Sequence, residues 1–281
     1  MRGRKVFPII IFIIGFLICA YPLISSVIEG YYQKSAIATY EKAVNNTNKI
    51  DLEEDYKKAD EYNSALFNYK NNILGNDSIN ILSEESYNNI LNMGNGIIGS
   101  IEIPKINVNL PIYHGTSDEV LSVGVGHVYG SSFPVGGINT RSVLTAHRGL
   151  PNAKLFTRLD EIVLGDLFFI TVHDNTLAYK VSDIKVIDPE DLEAIKTQEG
   201  KDLVSLITCT PYGINTHRLV VTGERVPYEK LEYEGIKKEI MSLREIIFAS
   251  IPFVFLGGAI LLKLKERKNR KEKVDNEVKE D

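Results

Sequence analysis

Cys209 is the side chain best placed by type and context to do covalent chemistry. The chain has two cysteines, and Cys19 lies inside an uncharged apolar run, where a thiol acts as a small apolar filler. Cys209 instead ends a β-type run, Val204-Ser205-Leu206-Ile207-Thr208-Cys209, and Thr210-Pro211-Tyr212-Gly213 follows. A strand end beside a turn holds a side chain rigidly and leaves it reachable. Its own domain offers no disulfide partner, so Cys209 is either inert and buried or reactive. The neighbours favour reactivity. Arg218 comes nine residues later and opens another β run, Arg218-Leu219-Val220-Val221. The short link between them, Thr210 to His217, lets the two strands lie side by side. A cation near the thiol favours the thiolate, and it can hold a developing oxyanion or anchor a substrate.

Such a nucleophile needs a base, and five histidines are available: His114, His127, His147, His173 and His217. His147 follows the β-like run Ser142-Val143-Leu144-Thr145 and precedes Gly149 and Pro151, again a strand end at a turn. His217 adjoins Arg218; in one strand the two point to opposite faces. His173 sits in a polar turn, His173-Asp174-Asn175, and is expected to be solvated. His114 and His127 read as structural or surface residues. Neither the papain order (Cys early, His later) nor a Gln-Ala-Cys caspase signature is present. Spacing alone leaves Cys209, His147 and Arg218 as a candidate set for acyl transfer. No carboxylates have the spacing of a dedicated Ca²⁺ loop, and neither a metal nor a cofactor is expected.

The elements that would position these residues are mostly strands. From Ile97 onward, short β-rich runs alternate with Gly and Pro: Ile97–Ile103, Val108–Tyr113, Leu167–Val172, Leu177–Val186, Val204–Thr208 and Leu219–Arg225. Leu177, Tyr179 and Val181 occupy every second place, the pattern of one buried strand face. Many short strands so punctuated predict a β-barrel or sandwich. Residues 31–75 read as helical, because Leu52, Tyr56, Ala59, Tyr62, Leu66, Tyr69 and Ile73 recur at spacings of three or four. Asp51 with Glu54 three residues on predicts a capped helix start within that region. Residues 74–96 read as a loop with at most a short helix.

Two uncharged runs flank this region. Val6–Ile28 is 23 residues long and Ile246–Leu262 is 17, against the roughly 17–25 needed to cross a bilayer. The first is too long for the core of a typical signal peptide, roughly 7–15 residues, and is expected to stay as an anchor. Arg2, Arg4 and Lys5 precede it, and seven Lys and Arg between Lys263 and Lys273 follow the second. Lys and Arg beside spans mark the cytoplasmic side, so both termini are expected inside the cell membrane and the intervening domain outside. Residues 6–262 carry 21 Lys and Arg against 31 Asp and Glu, a net charge of −10. That acidic balance argues against nucleic acid as a partner.

Several motifs together resemble one family, the sortases of the Gram-positive cell surface, in their class C form. Leu206-Ile207-Thr208-Cys209 is similar to the pattern Thr-Leu-x-Thr-Cys, with Ser205 in place of the first Thr. Thr145-Ala146-His147-Arg148-Gly149-Leu150-Pro151 resembles the family's histidine loop. Cys209 to Leu219, Ile101 to Ile106 and Leu110 to Gly115 are similar to class C segments as well. The resemblance covers about residues 97–226, and a second, C-terminal span is characteristic of class C. It implies a mainly β fold, the sortase-type closed β-barrel, with an N-terminal helical extension between two transmembrane helices. The implied division is residues 1–5 cytoplasmic, 6–28 membrane, 29–96 helical extension, 97–228 catalytic barrel, 229–245 linker, 246–262 membrane and 263–281 cytoplasmic tail.

The resemblance also implies roles. Cys209 would attack the Thr carbonyl of a Leu-Pro-x-Thr-Gly-like sorting signal, His147 would handle the protons, and Arg218 would stabilise the oxyanion or position the substrate. Thr208 would touch the substrate. A pilin lysine would resolve the thioester and extend a covalent pilus. One alternative is a sortase that anchors surface proteins to a peptidoglycan precursor; another is a surface binding module that has lost activity. Class C sortases usually carry a lid with an Asp-Pro-aromatic motif. Here Asp77 is followed by Ser78 and Ile79, so Asp77 is the candidate lid residue, with Arg218 as its partner.

Overall fold

Eight strands close into a barrel in this computed structural model. They are β1 (Ile97–Ile103), β2 (Val108–His114), β3 (Val125–His127), β4 (Thr140–Thr145), β5 (Leu167–Val172), β6 (Asn175–Ile187), β7 (Asp202–Thr210) and β8 (His217–Val226). Their order around the barrel is β1-β2-β3-β4-β7-β8-β6-β5, and β5 pairs back onto β1. The pairs β2–β3 and β4–β7 are parallel; the others are antiparallel. Closure leaves no sheet edge to pair with another chain. Leu144, Val204, Leu206, Val221, Tyr179 and Ile170 are among the buried residues of the core.

The structure describes residues 3–71, 81–236, 238 and 241–280. The candidate lid residue Asp77 lies outside them. The chain divides into two units, Met1–Ser25 with Met241–Asp281, and Ser26–Ile240.

The helical reading of residues 31–75, with a capped start at Asp51, corresponds to two helices. Helix α1 (Gly3–Asn46) continues from the first apolar run without a break, and α2 (Lys49–Lys70) is separate. The cap is Asn48, not Asp51: Asn48 Oδ1 accepts from Asp51 N at 3.0 Å, and Asn48 Nδ2 donates to the Asp51 carboxylate at 2.7 Å. Asparagine wins because its short amide satisfies an orphan amide of the first turn. Leu52, Ala59, Tyr62 and Leu66 are buried as the stripe requires, whereas Tyr69 is exposed. Ile73 lies outside the described residues. The expected loop after α2 contains the short helix α3 (Glu84–Asn89).

These helices are fastened to the barrel by buried polar side chains as well as by apolar contact. Tyr40 donates to the Ile98 carbonyl at 2.9 Å and accepts from His173 N at 2.8 Å. Tyr56 donates to the Val135 carbonyl, and Asn63 both donates to and accepts from the backbone of Phe133. His173, expected to be solvated, is instead buried beneath α2, with Nε2 3.4 Å from an Asp55 carboxylate oxygen. Its turn is polar locally, but the helix packed over it removes the water.

Beyond the barrel, a short helix α4 (Asp118–Val123) leads into β3, and α5 (Lys230–Gly235) follows β8. The linker is strapped to β1: Tyr233 and Lys238 each donate to the Glu102 carboxylate, at 2.8 and 2.7 Å. Helix α6 (Leu243–Glu280) opens with a reciprocal cap between Ser242 and Glu245, and the charged segment after the second apolar run continues the helix. Two stretches, Ile10–Asn46 of α1 and Leu243–Asn269 of α6, are long and apolar enough to cross a membrane.

Candidate active site

The site is assembled at the ends of β4, β7 and β8. In the antiparallel β7–β8 pair, Cys209 lies directly opposite Arg218. Residues directly opposite across such a pair share one face. Leu206 and Val221 belong to the buried core, as do Val204 and Leu219. Strand alternation therefore puts Cys209 and Arg218 on the other face, outside the barrel.

His147 arrives from the parallel β4–β7 pair. Thr145 is in register with Ile207. One residue on, Ala146 is tied to β7 twice: its N–H donates to the Ile207 carbonyl at 3.2 Å, and its carbonyl accepts from Thr208 Oγ1 at 2.8 Å. Ala146 belongs to the buried core, so His147 turns outward beside the strand end that carries Cys209. All three side chains, Cys209, His147 and Arg218, are half-buried. Thr208, expected to touch substrate, has a different place. It is 1% exposed, and its hydroxyl ties β7 to the histidine loop.

The loop after His147 is held as firmly as a strand. The His147 carbonyl accepts from Phe156 N at 3.1 Å, and Gly149 N donates to Thr157 Oγ1 at 3.1 Å. Gly149 has φ +79°, and a Cβ there would crowd the Tyr212 ring at 3.0 Å. The link between β7 and β8 is thus folded back over the histidine loop. Within that link, Ile214 N and Asn215 N both donate to the Pro211 carbonyl. Arg218 Nη1 donates to the Asn215 and His217 carbonyls at 3.2 and 3.1 Å, which fixes the guanidinium against its own loop.

One residue of this constellation went unread in the sequence. The Arg148 side chain is 4% exposed and pairs with Asp160 at 2.6 Å. Arg148 Nη1 donates to Thr210 Oγ1 at 3.2 Å, and the guanidinium carbon lies 5.7 Å from the Tyr212 ring centroid. The only sequence signal was its position beside His147. A second buried arginine, Arg141 on β4, donates to the Ala194 carbonyl at 2.8 Å and holds the β6–β7 connection against the outer face of the sheet. That connection forms a wall next to the outward row of β4, β7 and β8.

The other histidines have surroundings of their own. His217 leads β8, on the face opposite Arg218, and bonds to Thr216 with Asp188 3.5 Å away. His114 contacts the Gly96 and Ile90 carbonyls through its two ring nitrogens. His127 is fully buried against Tyr87 and Phe133. Its Nδ1 meets the Tyr87 hydroxyl at 2.9 Å and its Nε2 meets the Ser132 carbonyl at 2.9 Å. Burial pushes the His127 imidazole down to about 4. Among the described residues, no group of three or more His, Cys, Asp and Glu could hold a metal ion.

The barrel has counterparts among known proteins. Residues 101–226 match the family model described as the sortase domain. Sortase D of Bacillus subtilis is 34% identical over 131 residues, which are 46% of this chain and 63% of that protein. The chain thus spans under two thirds of that relative's length. Sortase C1 of Streptococcus agalactiae has a crystal structure with a TM-score of 0.63 and 40% identity, covering 69% of this chain and all of that one. Clostridium perfringens sortase C, solved with the C-terminal cell wall sorting motif, has a TM-score of 0.59 and 42% identity, covering 69% of this chain and 99% of that one. The strand ends that gather a cysteine, a histidine and an arginine on one outer face, the closed barrel and these matches lead to one conclusion: the chain belongs to the sortase family of cysteine transpeptidases, within its class C group.

Proposed function

We propose that this chain cleaves a Leu-Pro-x-Thr-Gly-like sorting signal and joins the acyl fragment to a pilin lysine, polymerising pili at the cell surface. The observation that carries the reading is the shared outer face: Cys209 opposite Arg218 across β7 and β8, with His147 delivered beside them by the doubly tied Ala146. Cys209 is the nucleophile. Its sulfur bonds to the Thr carbonyl carbon, and the Arg218 guanidinium stabilises the oxygen that takes the negative charge. The Thr–Gly C–N bond then breaks. His147 protonates the departing amine, leaving a thioester on Cys209. A lysine amine attacks that thioester, His147 takes its proton, and the thiolate leaves as the new amide forms. Nothing else is consumed, because the energy of the cleaved peptide bond is kept in the thioester.

Membership in class C supports the choice of a lysine nucleophile, and the two apolar helices support a membrane-held enzyme. The basic residues before the first helix and after the second support cytoplasmic termini with residues 97–228 outside as the catalytic barrel, 29–96 as its helical extension and 229–245 as a linker. The test is an intact-mass assay with a Leu-Pro-x-Thr-Gly peptide, followed by addition of lysine-bearing pilin or of a peptidoglycan stem amine. The expected result is an acyl adduct on the wild type, absent in Cys209→Ala, and resolved by the pilin lysine. Transfer only to the stem amine would replace polymerisation by wall anchoring. No adduct with any sorting motif would overturn transpeptidation.

A further inference from the structure

We propose that Arg148 is a positioning residue for the transfer reaction, one cation that braces Cys209, His147 and Arg218 against each other. The inference rests on the roles given to those three residues above and concerns how their spacing is set.

Three fastenings meet at the Arg148 guanidinium. On one side it pairs with Asp160 at 2.6 Å, at the far end of the loop that begins with His147. On another, Nη1 donates to Thr210 Oγ1 at 3.2 Å, and Thr210 is the residue immediately after Cys209. Over the remaining face lies the Tyr212 ring, with its centroid 5.7 Å away. Tyr212 belongs to the same link whose Asn215 and His217 carbonyls hold Arg218. Arg148 therefore stands one residue from the base, bonds to the residue next to the nucleophile, and packs against the loop that seats the second cation.

The chemistry explains why arginine serves here. A planar guanidinium offers donors in several fixed directions at once and stacks on an aromatic face, whereas an ammonium is a single point charge. With the side chain 4% exposed, water does not compete for those donors. Arg148 directly follows His147, and its guanidinium is taken up by Asp160, Thr210 and Tyr212, while His147 turns outward beside Cys209. The Ala146–Thr208 tie fixes the backbone of the histidine loop; Arg148 fixes what lies beyond it. Productive attack tolerates little displacement, and an error of about 1 Å can lower a rate by on the order of 10²-fold.

The experiment uses the full chain in detergent, with Arg148→Lys and Thr210→Val. Thr210→Val keeps the shape and the Asp160 pair but removes the hydrogen bond from Arg148 to β7, so it decides the matter if Arg148→Lys does not fold. Acylation by a sorting peptide is measured per folded molecule. The expected losses in kcat are on the order of 10²-fold for Arg148→Lys and about tenfold for Thr210→Val, with little change in KM. In parallel, the acylation rate is read with and without His147→Gln, in the wild type and in the Arg148→Lys background. His147→Gln should slow acylation in the wild type and slow it by a smaller factor in the Arg148→Lys background. Variants that acylate at the wild-type kcat and keep the full His147 effect overturn the brace, whatever their melting temperature, while leaving transpeptidation intact. A wild-type acylation rate indifferent to His147→Gln would overturn both readings.

Discussion

Replacing His127 by glutamine should remove a pH-dependent share of the stability that the wild type loses in mild acid. His127 is 0% exposed, and its Nε2 meets the Ser132 carbonyl at 2.9 Å. A carbonyl only accepts, so Nε2 carries the proton and Nδ1 accepts from the Tyr87 hydroxyl. That hydroxyl in turn accepts from Gly115 N, so the neutral ring completes a chain from β2 through α3 to β3. Burial holds the imidazole near 4, against 6.5 for a free histidine. The unfolded chain therefore binds more protons between those values, and stability must fall as pH drops through that window. The stabilisation is whole above the unfolded value and is lost as pH falls to the folded one. The gap corresponds to about 3.4 kcal/mol in full, of which roughly 2 kcal/mol falls between about pH 7 and pH 5. Two other groups that face the ring, His114 and Tyr87, are unchanged by the substitution. The assay is urea unfolding of the wild type and His127→Gln across that range. The stability advantage of the wild type should shrink by roughly 2 kcal/mol on acidification. An advantage constant to within about 0.5 kcal/mol would mean that His127 is not held neutral in the fold.

Three further substitutions probe the ties between elements. Asn63→Ala leaves the Phe133 N–H and carbonyl without their side-chain partner, so unfolding should become easier by about 2–4 kcal/mol, with early proteolysis within α2. Thr208→Val removes a buried donor from the Ala146 carbonyl; it should lower stability by about 1–3 kcal/mol and slow acylation of Cys209 in the mass assay. Gly223→Ala places a Cβ into the Phe168 ring and 3.0 Å from Tyr179 Cβ. It should lower the unfolding free energy by about 1–3 kcal/mol while leaving acylation per folded molecule unchanged.

Much of the barrel was legible because its strands alternate. β1 and β5 match the expected runs residue for residue, and β2, β6, β7 and β8 extend them by one to four residues in all. β3 was not legible. Val125-Gly126-His127 is too short to show a period, and its place follows from pairing with β2 on one side and β4 on the other. The start of α2 was legible at Asp51 and lies a little earlier, at Asn48, because that side chain caps the first turn. His173 was misread: its sequence neighbours are polar, but its spatial neighbours are α2 and Tyr40. Cys209, His147 and Arg218 stood out because each lies at a strand end beside a turn. Arg148 did not, since Asp160, Thr210 and Tyr212 meet it only through tertiary contact.

The topology explains why three strand ends suffice for the site. In a parallel pair both C-terminal ends lie at one end of the sheet, so β4 and β7 deliver His147 and Cys209 together although 62 residues separate them. An antiparallel partner brings its own start to the same place, and β8 begins with His217 and Arg218. Barrel closure thus fixes which residues meet to within a residue of register, because a slip by one would turn every side chain to the other face. Closure does not fix their separation to the fraction of an ångström that bond formation needs. That finer setting falls to single side chains that cross between the strand ends, Thr208 to Ala146 and Arg148 to Thr210. Barrel packing and these cross-ties should therefore separate in experiment. Gly223→Ala should reduce the amount of folded enzyme without altering its turnover, and Thr210→Val should alter turnover with little effect on folding.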